Sequence, residues 1–358
     1  MNETLTGKLG RILDRIFGSY SDKIKIIANV LVHDWRMSVP VFFDDSLIKV
    51  TKDEIETMFS SLDKESVGIV SKYISVQTIN LLQNQYPGLC FYNYEKLFCE
   101  EEKQRRLKLR KTLLKLLQKY PFPCCGPESL LFHHGLLFFP ETAIEYLAGG
   151  KFIDAGACYG DSTLIFSRFY KPGRIYAFEP SPKNREIMKT LLNRFQVQEN
   201  DFEMIPFGVG EKREKLFFCE QESPSFGIQN GESGVSVEIL PLDQYQEEHG
   251  LTGIRLIKAD LEGMGHAMLK GAEQTIRKNR PLLSLSIYHN REELLEIYRT
   301  LRNWDLNYEF AIRSTVFPLA FSEITLLGYP AELNSSEEKW KTDETMFKHL
   351  FESAEILL

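Results

Sequence analysis

Between Phe152 and Thr163 the chain runs through Phe152-Ile153-Asp154-Ala155-Gly156-Ala157-Cys158-Tyr159-Gly160-Asp161-Ser162-Thr163. A short β-type run that feeds a glycine turn and then opens a helix is a unit of an open parallel sheet. In such sheets ligands bind beyond the carboxyl ends of the strands. Gly156 and Gly160 let the backbone pass close beneath a ligand, where a side chain would obstruct it. The dinucleotide fingerprint G-x-G-x-x-G requires glycine where Cys158 and Asp161 stand, so it fails twice. Asp161 also puts a carboxylate at the positive end of the helix dipole, where it repels a pyrophosphate seeking the same place.

A ligand with no phosphate and with positive charge suits this turn better, and S-adenosylmethionine, with its sulfonium and ammonium, is such a ligand. Asp154 and Asp161 are acids of the right sign for it. The alternative is a purely structural turn, with Asp161 capping the helix. A second feature follows about twenty residues on: Arg174-Ile175-Tyr176-Ala177-Phe178-Glu179-Pro180-Ser181, a strand ending in a carboxylate. Glu179 is placed to accept both hydroxyls of an adenosine ribose. Alone this signal is shared with nicotinamide enzymes; together with the turn it points to an adenosyl cofactor.

Along the chain, apolar residues recur at helical spacing from about Leu5 to Lys119, as in Ile12, Ile16 and Phe17, then Ile24, Ile27, Val30 and Leu31. The proline-rich stretch Tyr120 to Pro127, containing the adjacent Cys124 and Cys125, stops the last helix. Beyond it short β-type runs alternate with helices. Strands are expected at Phe152-Ile153, Arg174 to Phe178, Phe202 to Pro206, Leu256 to Ala259, Leu282 to Tyr288 and Ile324 to Leu327, with a surface loop or hairpin from Glu220 to Gly234. A capping-box start at Ser335 and Glu338 opens a final helix. Its Trp340, Phe347 and Phe351 share a face expected to dock on the domain, with Asp343 and Glu344 as a polar gap. The expected fold is α/β: a Rossmann-like, mostly parallel sheet with helices on both faces, preceded by a mainly helical domain. The expected divisions are 1–125, 126–330 and 331–358.

The chain resembles the FkbM-type family of class I S-adenosylmethionine-dependent methyltransferases from about Ser129 to Pro330. The resemblance rests on the glycine turn, on Tyr176-Ala177-Phe178-Glu179-Pro180, on Leu256-Ile257-Lys258-Ala259-Asp260-Leu261-Glu262-Gly263, on Leu269-Lys270-Gly271-Ala272 and on Ile287-Tyr288-His289. Cys158 stands where the family often has Asn, and Gly265 where it commonly has Glu. The resemblance implies O-methylation of a sugar or sugar-like metabolite. It implies a cofactor site made of Asp154, Gly156, Ala157, Cys158, Tyr159, Gly160, Asp161, Ser162, Glu179, Pro180, Gly208 and Asp260, with His289, Asp260 and Glu262 as catalytic residues and no metal.

Read without the family, Asp260 and Glu262 are two acids at the end of a buried strand, costly there unless paired or hydrogen-bonded. They can stabilise the cofactor's cationic groups, bind acceptor hydroxyls, hold a divalent cation through oxygen, or serve structure alone. His289 ends the next strand on the same rim. Methyl transfer needs an aligned acceptor oxygen and somewhere for its proton to go, work that suits a histidine; the plain alternative is a histidine hydrogen-bonded at a strand end. His133, His134 and His266 are weaker candidates.

The formal net charge of -7 argues against a whole-surface attraction to nucleic acid. No apolar run is long enough to cross a bilayer, and the start of the chain lacks the pattern of a secretory signal, so a cytoplasmic address is expected. Six scattered cysteines without C-x-x-C spacing are expected to stay reduced. Lys103 to Lys119 carries eight basic residues and no acid. It reads either as a face for anionic groups or, given Glu100, Glu101 and Glu102 just before it, as a solvated ion-paired helix. The expected partner is a small acceptor, a sugar or nucleotide-linked sugar, with a homo-oligomer formed through the helical region as a further expectation. The competing readings are a nicotinamide oxidoreductase and a non-catalytic adenosyl-binding scaffold.

Overall fold

The computed structural model describes residues 52–85, 100–119, 131–218, 235–315, 323–334, 340–341, 346–347 and 349–352. The helical pattern up to residue 51, the turn around Cys124 and Cys125, the loop from Glu220 to Gly234, the capping box at Ser335 and Glu338, and Asp343 and Glu344 lie outside the described residues. Two compact units are present: Met1–Arg110 with Phe317–Ser322, and Lys111–Val316 with Glu323–Leu358.

In the first unit α1 (Lys52–Phe59) packs on α2 (Lys64–Gln85). Ile55 and Phe59 are buried at a spacing of four, and Val70, Tyr73 and Ile74 at three and four, so each helix presents one apolar face. Asp63 caps α2 by accepting the Ser66 N–H at 2.7 Å. The basic helix α3 (Glu100–Lys119), within which the division between the units falls, opens with ion pairs one turn apart, Lys103 to Glu100 at 3.1 Å and Arg105 to Glu101.

The second unit is built on a sheet of seven strands in the order β3-β2-β1-β7-β8-β10-β9. These are β1 (Lys151–Ala155), β2 (Arg174–Phe178), β3 (Phe202–Ile205), β7 (Ile254–Ala259), β8 (Leu282–Ser286), β9 (Tyr308–Arg313) and β10 (Thr325–Pro330). The first five pair in parallel; β10 runs antiparallel to both β8 and β9. β10 is buried along its whole length and β1 and β8 at all but one residue, so these strands are covered on both faces. The chain leaves β1 towards β2 and β3 and later returns to β1's other side as β7. The carboxyl ends of β1 and β7 therefore flank the switch point where an open α/β sheet places a ligand.

A smaller sheet, β4 (Gly208–Val209), β6 (Val235–Leu240) and β5 (Glu214–Phe218) in that spatial order, was not expected from the sequence, and neither was the edge strand β9. The helices of this unit are α4 (Glu141–Tyr146), α5 (Asp161–Phe169), α6 (Pro182–Arg194), α7 (Leu242–Glu248), α8 (Gly265–Lys270), α9 (Glu273–Asn279) and α10 (Arg291–Asn303). Ser181 caps α6 with proline at its first turn, and Asn290 caps α10 by accepting the Glu293 N–H at 2.8 Å. The tail aromatics dock on the domain as expected, but Trp340 and Lys341 are not helical, so Trp340 does not share one helix face with Phe347 and Phe351. Trp340 lies 5.1 Å from the Phe139 ring and 5.0 Å from Tyr329, and Phe347 lies 6.4 Å from Phe132. Among the described residues no helix is long and apolar enough to cross a membrane.

Candidate functional site

The turn between β1 and α5 is held open from below. Gly156 has φ +74°, and a Cβ there would lie 2.0 Å from the Asp260 carbonyl oxygen, so this position admits only glycine. The N–H groups of Gly156 and Ala157 both donate to the Phe178 carbonyl at 3.0 Å, tying the turn to the end of β2. Gly160, with φ +84°, starts α5 and closes against Met188.

Asp154 lies beneath the turn rather than in the crevice. It is fully buried; its Oδ2 accepts from the Ser162 hydroxyl at 2.6 Å and the Thr163 hydroxyl at 2.7 Å, and its Oδ1 is 3.3 Å from Lys258 Nζ. Lys258 also donates to the Gly156 carbonyl at 2.8 Å. Burial alone would lower the lysine's pKa; the carboxylates of Asp154, Asp260 and Asp161 outweigh that and raise it. Asp154 and Ser162 thus support the turn, with Lys258 as a cation that sequence reasoning quoted without giving it a role. Its signal was a lysine that follows the apolar pair Leu256-Ile257 in a strand buried at that position.

Above the turn is a solvent-open crevice of roughly 610 Å³, a figure that includes the open solvent at its mouth. Its polar wall is Cys158, Glu179 and Asn184; its apolar walls are Phe178, Val209, Ile239, Leu261 and Met264; Gly156, Pro180, Gly208, Asp260 and Glu262 complete it. Of the expected cofactor residues, Gly156, Cys158, Glu179, Pro180, Gly208 and Asp260 line the crevice. Ala157 and Tyr159 are buried in the turn without lining it. Asp161 faces away to His134, whose Nε2 is 3.4 Å from its Oδ2. Burial would raise the Asp161 carboxyl, but the imidazole beside it holds it below the ordinary value.

Glu179 is only 4% exposed. Its Oε2 accepts the Cys158 N–H at 2.9 Å; its Oε1 accepts the Ser181 N–H at 2.9 Å and the Asn184 side chain at 3.3 Å. Burial nonetheless pushes its carboxyl up to about 7, against the pull of the Ser181 and Cys158 amides. Asn184, in the first turn of α6, was missed by sequence reasoning because its neighbours Ser181 and Pro182 read as an ordinary helix start.

The far rim is formed where the loop after β7 meets the extension of β8. His289 Nε2 is 3.2 Å from Asp260 Oδ1 and 3.5 Å from Glu262 Oε2, while Nδ1 is 2.9 Å from Glu293 Oε2. All three expected catalytic residues are therefore in one cluster, joined by the unforeseen Glu293 and by Tyr288, whose hydroxyl donates to Asp260 at 3.2 Å. Burial would lower the His289 pKa, but its hydrogen bonds to Asp260 and Glu293 raise it well above the ordinary histidine value. For Asp260, burial raises while His289 and Lys258 lower, and the carboxyl ends below the usual range. Glu262 is held at φ +49° beside Gly263 at φ +101°, and Asn290 clamps that bend by donating to the Gly263 carbonyl at 3.0 Å.

The weaker histidines are elsewhere. His133 is packed on Phe169 and bonded to the Tyr170 hydroxyl at 2.7 Å, and burial drives its pKa down to about 3, so it stays neutral. His266 bridges Glu292 at 2.6 Å and Thr300 at 3.0 Å, helix to helix, away from the crevice. Among the described residues no group of three or more His, Cys, Asp or Glu is arranged to hold a metal ion.

The chain is similar to several solved structures. One is the methyltransferase FkbM of Methylobacillus flagellatus KT, 15% identical over 90% of this chain and 93% of that one, with a TM-score of 0.42. Another is an O-methyltransferase from Bacillus cereus in complex with SAH, 15% identical over 61% and 90%, with a TM-score of 0.39. A third is an rRNA methylase from Streptococcus thermophilus, 13% identical over 53% and 92%, with a TM-score of 0.37. No curated protein matches the sequence. The methyltransferase FkbM domain, as the family defines it, matches residues 154–310, a stretch that contains every residue lining the crevice and its rim. Residues 154–310 of the chain are a methyltransferase FkbM domain.

Proposed function

We propose that this domain transfers a methyl group from S-adenosylmethionine to a hydroxyl oxygen of a sugar or nucleotide-linked sugar. The observation that carries the reading is the crevice over Gly156. It is floored by a turn with no room for a side chain, walled by a buried carboxylate at Glu179, and faced by the acids Asp260 and Glu262. Those residues fit the cofactor. Glu179 offers the ribose an acceptor at Oε2, which beside the Cys158 N–H has room for a hydroxyl, the apolar walls offer a flat ring a surface, and the acids suit a cation without phosphate.

When bound, S-adenosylmethionine supplies an electrophilic methyl group carried on a positively charged sulfur. The protein's task is to orient the acceptor oxygen and take its proton. Asp260, Glu262 and the Tyr288 hydroxyl form a hydrogen-bonding rim matched to an acceptor rich in hydroxyls. His289 Nε2, turned towards both carboxylates, is the proton acceptor once the imidazole is neutral. Because its flanking carboxylates raise its pKa, the base becomes available as pH rises.

The experiment is calorimetric titration of the full chain with S-adenosylhomocysteine, followed by a panel of monosaccharides and nucleoside diphosphate sugars scored for S-adenosylhomocysteine release and for an O-methyl signal by NMR. Binding with methylation of a sugar hydroxyl is expected. Absence of binding overturns the cofactor assignment, and methylation only at nitrogen, carbon or nucleic acid overturns the acceptor class.

A further inference from the structure

Behind His289 stands a carboxylate that the reading above does not use. Glu293 is fully buried, in the first turn of α10. Its Oε2 faces His289 Nδ1 at 2.9 Å and accepts the His289 backbone N–H at 3.3 Å, and its Oε1 accepts the Gly265 N–H at 2.7 Å. One side chain thus grips both ends of the rim: the imidazole after β8, and the loop that carries Asp260 and Glu262. The Gly265 end is built for it, since a Cβ there would lie 2.8 Å from Glu293 Oε1. The helix is fixed in turn by Asn290, which caps it through the Glu293 N–H at 2.8 Å and clamps the Gly263 carbonyl at 3.0 Å.

An imidazole has two nitrogens, and a carboxylate on one settles where the other points and which form of the ring is favoured. We propose that Glu293 is a positioning residue: it takes the Nδ1–H of His289, turns Nε2 to the acceptor side between Asp260 and Glu262, and locks that arrangement to the loop through Gly265. This rests on the function proposed above. A buried acid in the interior of a protein is costly unless fully bonded, and Glu293 meets that cost with three donors drawn from two segments of the site rather than from its own helix.

The groups facing His289 are Asp260 and Glu262 from the loop after β7, Glu293 from α10, and the Tyr288 phenol, whose ring lies 4.0 Å away; Lys258 stands behind Asp260. Removing the charge at 293 leaves the others in place. The raised pKa of His289 therefore falls, while Asp260 still holds Nε2.

The test is NMR of the full chain labelled with nitrogen-15 at histidine, with the His289 signals assigned by their loss in His289→Asn. In the unaltered protein His289 is expected to donate from Nδ1 and to titrate well above the ordinary value. In Glu293→Gln the midpoint is expected to fall by about 1–3 pH units, the usual effect of a close opposite charge. The acidic limb of the methylation rate, measured on a sugar found by the acceptor panel, should move down with it. An unchanged midpoint in a folded Glu293→Gln protein overturns the proposal. If that variant does not fold, Gly265→Ala displaces the carboxylate without removing charge, and an unmoved His289 midpoint there overturns it equally. Failure of S-adenosylhomocysteine to bind would sink the functional reading instead, and would leave the histidine titration to be read on its own.

Discussion

Gly265 and Glu293 share one small space: the Gly265 N–H donates to Glu293 Oε1 at 2.7 Å, and a side chain at 265 would start 2.8 Å from that same oxygen. The resemblance to the FkbM family implies a Glu commonly at the position of Gly265; in this chain the carboxylate beside that position belongs to Glu293 of α10. Because the contact is with a buried, hydrogen-bonded oxygen and with Ile297 at 3.2 Å, there is little slack. Gly265→Ala is expected to lower stability by about 1–3 kcal/mol, the usual cost of overpacking. Urea denaturation followed by circular dichroism reads it, and a midpoint equal to that of the unaltered protein would show the oxygen to be free to move.

On the proposed function, Glu179 is expected to link cofactor binding to pH. Its carboxyl is raised to about 7 in the folded protein by burial, from an ordinary value of 4.5, so the folded state holds a proton that the unfolded state has lost across that window. Two consequences follow from this sign. Stability contributed by this group is fully present below 4.5 and is lost as pH rises towards 7. Ribose hydroxyls, which donate, bind the ionised form, so adenosyl binding releases a proton and strengthens as pH rises. Affinity for S-adenosylhomocysteine is expected to be about tenfold weaker at pH ~6 than at pH ~8. Glu179→Gln should bind more weakly and without that slope. Calorimetry in two buffers of different ionisation enthalpy measures the proton directly, and equal heats in both would refute the linkage.

Gly156→Ala should remove binding altogether. The new methyl meets the Asp260 carbonyl at 2.0 Å, which is backbone and cannot swing aside, and the φ of +74° is itself unfavourable for alanine. Both the turn and the loop carrying Asp260 must shift. Loss of stability above about 1 kcal/mol is expected together with loss of S-adenosylhomocysteine heat. A variant that binds normally would mean that the crevice floor is not where the cofactor lies.

The turn, the acid ending β2 and the parallel core were legible in the sequence because each is local. The glycines, the carboxylate and the apolar runs sit within a few residues of one another, and their periodicity states their environment. β2 was read at its observed limits, whereas β8 stops at Ser286, short of the expected Tyr288, because the chain leaves the sheet there to bring Tyr288 and His289 to the rim. β9 was missed for a different reason. It is an edge strand whose first half, Tyr308 to Phe310, is only partly covered, so it lacks the continuous apolar signature of its neighbours. Asp154 was read as a cofactor ligand and is instead a support. Nothing local separates a carboxylate pointing up into a crevice from one pointing down at a lysine a hundred residues away. Glu293 was illegible for the same reason, since an acid in the first turn of a helix is common for the dipole alone.

Lys258 and Asp154 offer the sharpest test of how the turn is supported. Their charged atoms are 3.3 Å apart, with Lys258 almost wholly buried and Asp154 completely so. Removing one partner strands the other charge in the interior, which costs about 3–5 kcal/mol, whereas removing both strands neither member of the pair, although Asp260 and Asp161 then lose the lysine's charge. Lys258→Met and Asp154→Asn should each destabilise strongly, and the double variant should be more stable than the sum predicts, by about 0.5–3 kcal/mol. Lys258 also holds the Gly156 carbonyl at 2.8 Å, so its loss frees the turn in a way that loss of Asp154 does not. In the double variant stability should therefore recover further than S-adenosylhomocysteine affinity does. Strict additivity of the two single effects in urea denaturation would mean that the lysine answers chiefly to Asp260 and Asp161. Full recovery of affinity in the double variant would mean that the carbonyl contact does nothing for the cofactor floor.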